Sequence, residues 1–397
     1  MGIIITMPSN LSSIRCRLYP TVEQERRLLD TLDICRNLYN HFIFESRLAY
    51  REGYIVKFDE LQRIIPVLTN GKNIYSKVAQ VVIHQFYRNL SVLKSLKVGR
   101  KGQLRFKAKD RFKSFTYNQS GFSLLHNTLK LSKIGKIKIV LHRIVTGIVK
   151  EIHIKRESSG KWFAIIVTAT RTANNTTNKI DKPIGLDMGI KNFVYDSDGH
   201  VVEHPSILNK SARKLGKAQR IFSRRIKGSN NRNKQRFKVA RLHEKIGNQR
   251  KDFLHKLSSH YVSKYNTIFV EDLRIDNMIR NNTLSKSIAD SSWSTFFNML
   301  EYKAANAGIL FRKVVASGTS QRCSRCGEIV KKTLAIRMHC CPICKLNIDR
   351  DLNASINILQ NGLCNLPQEL REVTPVEIEP IQTSLQVRSM NQEATSL

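Results

Sequence analysis

Five of the eight cysteines fall within 22 residues, and four of them form two pairs of identical spacing. Cys323-Ser-Arg-Cys326 is followed, fourteen residues on, by Cys341-Pro-Ile-Cys344. One Cys-x-x-Cys turn presents two thiolates to an ion. A second turn at this distance completes a tetrahedral four-cysteine site with no open position, the arrangement of structural zinc. Cys340 abuts the second pair, but the x-x spacing belongs to Cys341 and Cys344, so Cys340 reads as a packing or spare thiol and His339 as no ligand. A second chemistry is carried by acids in unusual places. Asp187 interrupts the apolar run Ile184-Gly-Leu-Asp-Met-Gly-Ile190, Glu271 and Asp272 close the run Thr267-Ile-Phe-Val270, and Asp349 and Asp351 open the last helical stretch. A carboxylate in a buried strand is costly unless it is paired or bound to a metal. Three converging on one point would hold two hard divalent cations about 3.5–4 Å apart, an arrangement that hydrolyses phosphodiesters. On these residues alone the plainer alternative stays open: Asp349 caps a helix, Asp272 faces water and Asp187 sits in a turn.

The elements that must position these groups follow from periodicity. Residues 184–190, 193–196 and 200–203 read as three antiparallel strands, the last two joined at Asp198-Gly199, a hairpin signal. Residues 268–270 and 310–315 read as further strands, and 283–307 and 350–360 as helices, the last stopped by Asn361-Gly362. N-terminal to these, strand 13–19 ends at Pro20, and Thr21 is the expected N-cap of a helix running to about Tyr50. A second helix covers 75–96. Strands at 114–118, 129–131, 137–141, 148–155 and 162–168 predict a small antiparallel barrel or sandwich, completed by strand 13–19 and interrupted by the helices. Residues 172–181 read as a polar linker. After residue 366 the chain turns polar, mildly acidic and proline-bearing, a disordered composition.

Charge points to the partner. Lys and Arg number 67 against 31 Asp and Glu, a net +36. A compact fold with that surplus repels itself unless a polyanion is bound, and nucleic acid is the natural one. Residues 210–256 carry 17 Lys/Arg and two acids on a helical hairpin broken at Gly228-Ser-Asn-Asn231; Arg224, Arg225, Lys234, Arg236 and Lys238 are its candidate phosphate contacts. Residues 94–113 hold nine Lys/Arg and one Asp, and run into Phe106, Phe112, Phe115 and Tyr117, rings that would stack on unpaired bases or else pack in a core. Gln80 and His84, on the second helix, are candidates for reading a short DNA motif. No apolar run is long enough to span a membrane. Phosphate-loop, His-Glu-x-x-His and Gly-x-Ser-x-Gly motifs are absent, which argues against an ATPase, a zinc protease and a serine hydrolase. Isolated remaining cysteines and the lack of a secretion signal suit a reducing cytoplasm, here in association with the nucleoid.

The chain resembles the TnpB family of transposon-encoded RNA-guided DNA endonucleases, relatives of the type V CRISPR nucleases. Arg17-Leu-Tyr-Pro-Thr21, Cys35-Arg-Asn-Leu-Tyr-Asn40, Ile184–Ile190, Val270-Glu-Asp-Leu273, Thr319-Ser-Gln-Arg-Cys-Ser-Arg-Cys-Gly327 and Asp349-Arg-Asp-Leu-Asn-Ala354 carry the resemblance, which runs from about residue 14 to 365. It implies an α/β fold: a ribonuclease H-like (RuvC) nuclease domain (181–318 and 346–365) with an inserted zinc ribbon (319–345), and an N-terminal β-barrel wedge domain (1–20 and 110–172) carrying a helical recognition insertion (21–109). It implies Asp187, Glu271 and Asp351 as the catalytic, Mg²⁺-binding triad of a two-metal site, and Cys323, Cys326, Cys341 and Cys344 as ligands of structural Zn²⁺. The implied partners are a guide RNA and double-stranded target DNA with a short flanking motif, the protein being a monomer or weak dimer. An intact triad argues against a non-cleaving guided repressor, whereas a compact type V CRISPR effector shares every motif. Two departures from the family pattern stand out: Lys345 where glycine is usual, and the doubled Cys340-Cys341.

Overall fold

The computed structural model describes residues 9–95, 103–171, 180–280, 288, 290–315, 318–333 and 336–366. The expected linker core at 172–179 and the tail from 367 onward lie outside them. Two units emerge, Met1–Ala173 and Asn174–Leu397.

In the first unit, alternation of apolar and polar residues makes β1 (Ser9–Tyr19), which pairs antiparallel with β7 (Trp162–Arg171) and, at its end, with β5 (Gly135–Val140). The full order is β2 (Ser114–Asn118), β6 (Ile148–Arg156), β7, β1, β5, β4 (Thr128–Leu131) and β3 (Phe122–Leu125). The edge strands β2 and β3 are joined by three residues, so the sheet curls until it is nearly closed. Tyr117 Oη donates to the Ser132 carbonyl at 2.8 Å between the two ends of the order. Among the described residues, three α-helices and a short 3-10 turn (Lys109–Arg111) lie between β1 and β2: α1 (Val22–Arg51), α2 (Phe58–Thr69) and α3 (Ser76–Ser95). Thr21 caps α1 as expected, in a reciprocal capping box with Gln24. Helix α2 was not anticipated. Pro66 breaks its pattern, yet Leu61 and Ile65, four residues apart, are buried and hold it in place. Phe112, Phe115 and Tyr117 are also buried, in the core shared by sheet and helices. Of the two readings the sequence left open for these three rings, the structure takes core packing. Of the four, Phe106 alone is exposed, and the Arg47 guanidinium lies 4.6 Å from its centroid.

The second unit is built on a five-stranded sheet ordered β10 (Val201–Glu203), β9 (Asn192–Asp196), β8 (Pro183–Met188), β11 (Thr267–Glu271) and β12 (Leu310–Val314). β8, β9 and β10 are antiparallel, whereas β8, β11 and β12 are parallel. Helices cover both faces. Ile184, Leu186, Ile268 and Val270 point to one face, packed with Leu254, Leu257 and Tyr261 of α5 (Asn230–Lys264) and Trp293, Phe296 and Leu300 of α7 (Trp293–Ala307). The basic hairpin is α4 (Ile207–Arg224) and α5, with Ser229 as N-cap of α5. A short α6 (Ile275–Ile279) follows β11. Residues 281–287 and 289, in the expected start of helix 283–307, lie outside the described residues. Alternate residues of the two central strands, Gly185, Asp187, Phe269 and Glu271, face the other side, which α8 (Arg350–Cys364) covers.

Helix α8 corrects the expected stop at Asn361-Gly362, since it continues to Cys364 with Gly362 buried. A Cβ on Gly362 would fall 2.3 Å from ring atoms of Phe269 on β11, and one on Gly185 would fall 2.3 Å from the Ser355 carbonyl oxygen and 2.7 Å from the Leu359 nitrogen. At Gly185 helix and strand backbones approach directly, and at Gly362 the helix backbone takes the Phe269 ring, so neither glycine is punctuation. We expect Gly362→Ala to lower the melting temperature by about 2–4 °C. Alanine gains about 1 kcal/mol of helix propensity, but overpacking against the ring costs about 1–3 kcal/mol. A melting temperature equal to or above wild type would contradict this packing.

Candidate active site

Register and alternation bring the acids together. Leu186 pairs with Val270 in the parallel β8–β11 ladder, so Asp187 and Glu271 follow at the next level, on one face of adjacent strands. Helix α8 runs opposite to β8 over that face. From Ser355 and Leu359, which lie over Gly185, one turn back leads to Asp351, while two residues forward along the strand leads to Asp187. The three carboxylates thus share one neighbourhood, at the carboxyl ends of β8 and β11 and the amino end of α8.

Their electrostatics follow from that crowding. Asp187 is held well above the ordinary carboxylate range, first by burial, then by Glu271 and Asp351, with Arg350 and the Met188 N–H opposing. Burial also raises Glu271, against the hydroxyl of Thr319, which donates to Glu271 Oε1. Asp351 is neutralised locally: Arg350 donates to its Oδ1 at 3.1 and 3.0 Å, and Arg337 Nη1 lies 3.8 Å from Oδ2. The neighbouring acids are placed otherwise. Asp349 accepts the Asp351 N–H at 2.7 Å as the N-cap of α8, and Asp272 is exposed. Tyr195 stands opposite Asp187 in the β8–β9 ladder, its phenol pushed up to about 12 by burial, then by Asp349, Asp351 and Asp196. Sequence reasoning passed over Tyr195 because only strand register places it here. It also passed over Asn353 and Asn357, although two amides four residues apart on a buried helix face are a readable signal of a polar anchor.

The two cysteine knuckles close on each other. The Sγ atoms of Cys323, Cys326, Cys341 and Cys344 all lie within 4.8 Å of one another, with Cys323–Cys344 and Cys326–Cys341 at 3.5 Å. A tetrahedron with Zn–S of about 2.3 Å has edges near ~3.8 Å, so the donor set fits zinc. Among the crowded thiols Cys341 is drawn down, chiefly by the Cys344 N–H, whereas Cys323 and Cys326 are raised, burial being the largest raising cause in both. Cys340 lies outside the group: it is exposed, and its thiol donates to Asn347 Oδ1 at 3.2 Å. His339 is buried against Lys332. Lys345, the departure from the usual glycine, adopts φ +61° and closes its turn on the Cys341 carbonyl, as Gly327 does on Cys323 with φ +81°. An L-residue there costs on the order of 1–2 kcal/mol.

The basic hairpin is rigidly built. Arg232 donates to the carbonyls of Phe222 and Arg225 at 3.0 and 2.7 Å, and Gln235 to that of Ala218 at 2.9 Å. Its far end is tied to the β9–β10 turn by Tyr261, which donates to Asp196, and Tyr265, which donates to Asp198. Arg224, Arg225, Lys234 and Lys238 are exposed, whereas Arg236 is half-buried with its guanidinium over Phe237. In the first unit, Gln80 is half-buried and the exposed His84 packs its ring 5.0 Å from Phe58. None of the described helices is long and apolar enough to cross a membrane.

Comparison with known proteins fits this layout. Residues 164–282 match the OrfB_IS605 family, described as a probable transposase, and residues 293–358 match the Cas12f1-like TNB domain. Residues 7–54 match a family described as a helix-turn-helix domain, although here residues 9–51 form a strand and one unbroken helix. In overall fold, a solved Cas12f1 in complex with sgRNA and target DNA superposes with a TM-score of 0.55 at 13% identity, covering 88% of this chain and 98% of that one. A TnpB-like protein of Acanthamoeba polyphaga mimivirus is 26% identical over 55% of this chain and 44% of its own. A protein of Streptomyces pristinaespiralis, provisionally named an RNA-guided DNA endonuclease, is 32% identical over 365 residues, 88% of this chain and 89% of the relative. Likeness of that degree over nearly the whole of both chains means that this protein belongs to the TnpB family, the group typified by OrfB of IS605.

Proposed function

We propose that this protein is an RNA-guided DNA endonuclease of an insertion sequence, hydrolysing target phosphodiesters at a ribonuclease H-like (RuvC) centre formed by Asp187, Glu271 and Asp351. The observation that carries the reading is the convergence of three acids from β8, β11 and α8, with Asp187 held in a state where its charge is poorly solvated. Their oxygens are hard donors and fit Mg²⁺. A pair of such cations, when bound, supplies Lewis acidity toward the scissile phosphate and activates water. The chain's own contribution is positional. β8 and β11 present two carboxylates side by side, α8 brings the third, and Arg350 and Arg337 hold Asp351 in one direction. Guide pairing would read the target, and the protein would hold phosphates with exposed cations such as those of the α4–α5 hairpin. Zn²⁺ bound by the four thiols would act structurally, having no open position.

The direct test is to sequence the RNA that copurifies with the full chain, recode its guide segment, and ask whether cleavage of a matching plasmid in Mg²⁺ follows the new sequence. Cleavage that ignores the guide would refute the reading. Asp187→Asn separates catalysis from folding. Because the folded state disfavours the charged form of Asp187, the neutral amide relieves it at pH 7. We expect cleavage to be abolished and guided binding retained, with a melting temperature in EDTA no lower than wild type; a marked destabilisation would make Asp187 a structural residue instead.

Guide binding is expected to be steeply salt-dependent. Changing Arg224, Arg225, Lys234 and Lys238 together to Gln should flatten the slope of log K against log salt by up to about 3. A wild-type slope would remove the hairpin from the RNA interface. In elemental analysis, Cys340→Ser should keep about one zinc per chain and Cys341→Ser should lose it, the reverse moving the ligand by one residue.

A further inference from the structure

Thr319 links the two proposed metal centres. It lies four residues before Cys323, is 3% exposed, and donates its hydroxyl to Glu271 Oε1. Its own backbone is held from the opposite side. Asn357 on α8 donates its amide to the Thr319 carbonyl and to that of Arg322, both at 2.7 Å. Asn353 donates to the Arg322 carbonyl at 2.7 Å and accepts the Ser324 N–H at 3.0 Å, while Gln360 donates to the Ser324 carbonyl at 3.0 Å. Asn353 and Asn357 are buried, and their amides are committed to this one segment. The turn itself is closed by the N–H groups of Gln321 and Arg322 on the Gly318 carbonyl. Residues 319–324 are thus fixed by α8 on one side and by the first zinc knuckle on the other, and the side chain they aim at the acids is a β-branched one with few rotamers.

Glu271 sits at a strand end with a long, flexible side chain, unlike Asp187 on its shorter stem. A carboxylate that can rotate loses part of its affinity for a cation in being ordered, and a hydrogen bond that orients it in advance removes that loss. We infer that Thr319 is a positioning residue of the nuclease centre: its hydroxyl fixes the Glu271 carboxylate for a divalent cation, and Asn353 and Asn357 tie that orientation to the zinc knuckle. The inference rests on the reading of Glu271 as a metal ligand.

The test uses the zinc-loaded full chain and Mn²⁺ as probe, with binding followed by electron paramagnetic resonance. Thr319→Val keeps shape and removes the donor. We expect Mn²⁺ affinity to fall about 10-fold and the Mg²⁺ concentration for half-maximal cleavage to rise by a similar factor, with zinc content and guided DNA binding unchanged. Thr319→Ser restores the donor and should stay within about twofold of wild type for both readouts. If the valine variant loses zinc or unfolds, Thr319→Ala removes the hydroxyl without placing a methyl against the carboxylate, and the same loss is expected. Wild-type Mn²⁺ affinity in the folded valine or alanine variant, or a serine variant as weak as valine, overturns the positioning role while leaving the nuclease reading intact. Failure of that reading looks different: wild type would bind no Mn²⁺, or Asp187→Asn would bind it as well as wild type, and the inference would fall with it.

Discussion

Helix α8 lies on β8 at Gly185 with no strand side chain between them. At Gly185 the helix backbone occupies the place a Cβ would take, and at Gly362 the same helix takes the ring of Phe269 against its own backbone. These two contacts set the height and the axial position of α8 over the sheet. Any side chain at Gly185 would lift the helix at the point one turn from Asp351. The geometry of the acids is therefore fixed by an absence of bulk several residues away, and the apolar faces of both elements supply the attraction that keeps the contact closed.

Holding three acids together works against that attraction. Burial and mutual repulsion both disfavour ionised Asp187; Arg350 offsets only part of this, and both arginines pair directly with Asp351. The surroundings oppose the cost piecemeal: an N–H at Asp187, a hydroxyl at Glu271, a guanidinium pair at Asp351. The acids also sit at strand and helix ends, where fewer neighbours must be disturbed. An arrangement that is unfavourable for the protein alone and favourable for a bound cation is what a metal centre requires, whereas a structural ion-pair network would have matched each acid with its own partner.

Much of this was legible because it depends on local chemistry. Knuckle spacing, the capping Thr21, the turn at Asp198-Gly199 and the break at residues 228–231 each encode a short-range geometry. What escaped depends on tertiary contact. Gly362 looks like a helix stop until Phe269 is placed beside it. Phe115 and Tyr117 alternate with polar residues in a basic stretch, which left stacking and core packing both open until the sheet buried them. Pro66 argues against α2, and the packing of Leu61 and Ile65 overrides it. Tyr195 carries no signal of its own, being defined by strand register, and Thr319 opens the first knuckle's motif without any sign of the hydrogen bond it makes across 48 residues.

The order of the acids along the chain gives the four-cysteine cluster a reason to stand between the last two. From Glu271 at the end of β11, the chain passes through α6, α7 and β12, and must then deliver Asp351 to within reach of Asp187 on a helix of the opposite sense. A flexible connection of that length would leave the entry of α8 loosely defined. The knuckles replace it with a segment whose four thiols fit a closed zinc site, which when filled would supply on the order of 10–16 kcal/mol of apparent binding energy, as in small zinc folds. Its second hairpin, Met338–Cys340 with Asn347–Asp349, runs directly into the N-cap of α8, so the strand that ends the ribbon is the strand that starts the helix. Its first knuckle is grasped by the amides of that same helix. The ribbon thus meets α8 at two points, its covalent start and a polar clamp one turn further in, and two such points fix both the direction and the rotation of the helix that carries the third acid.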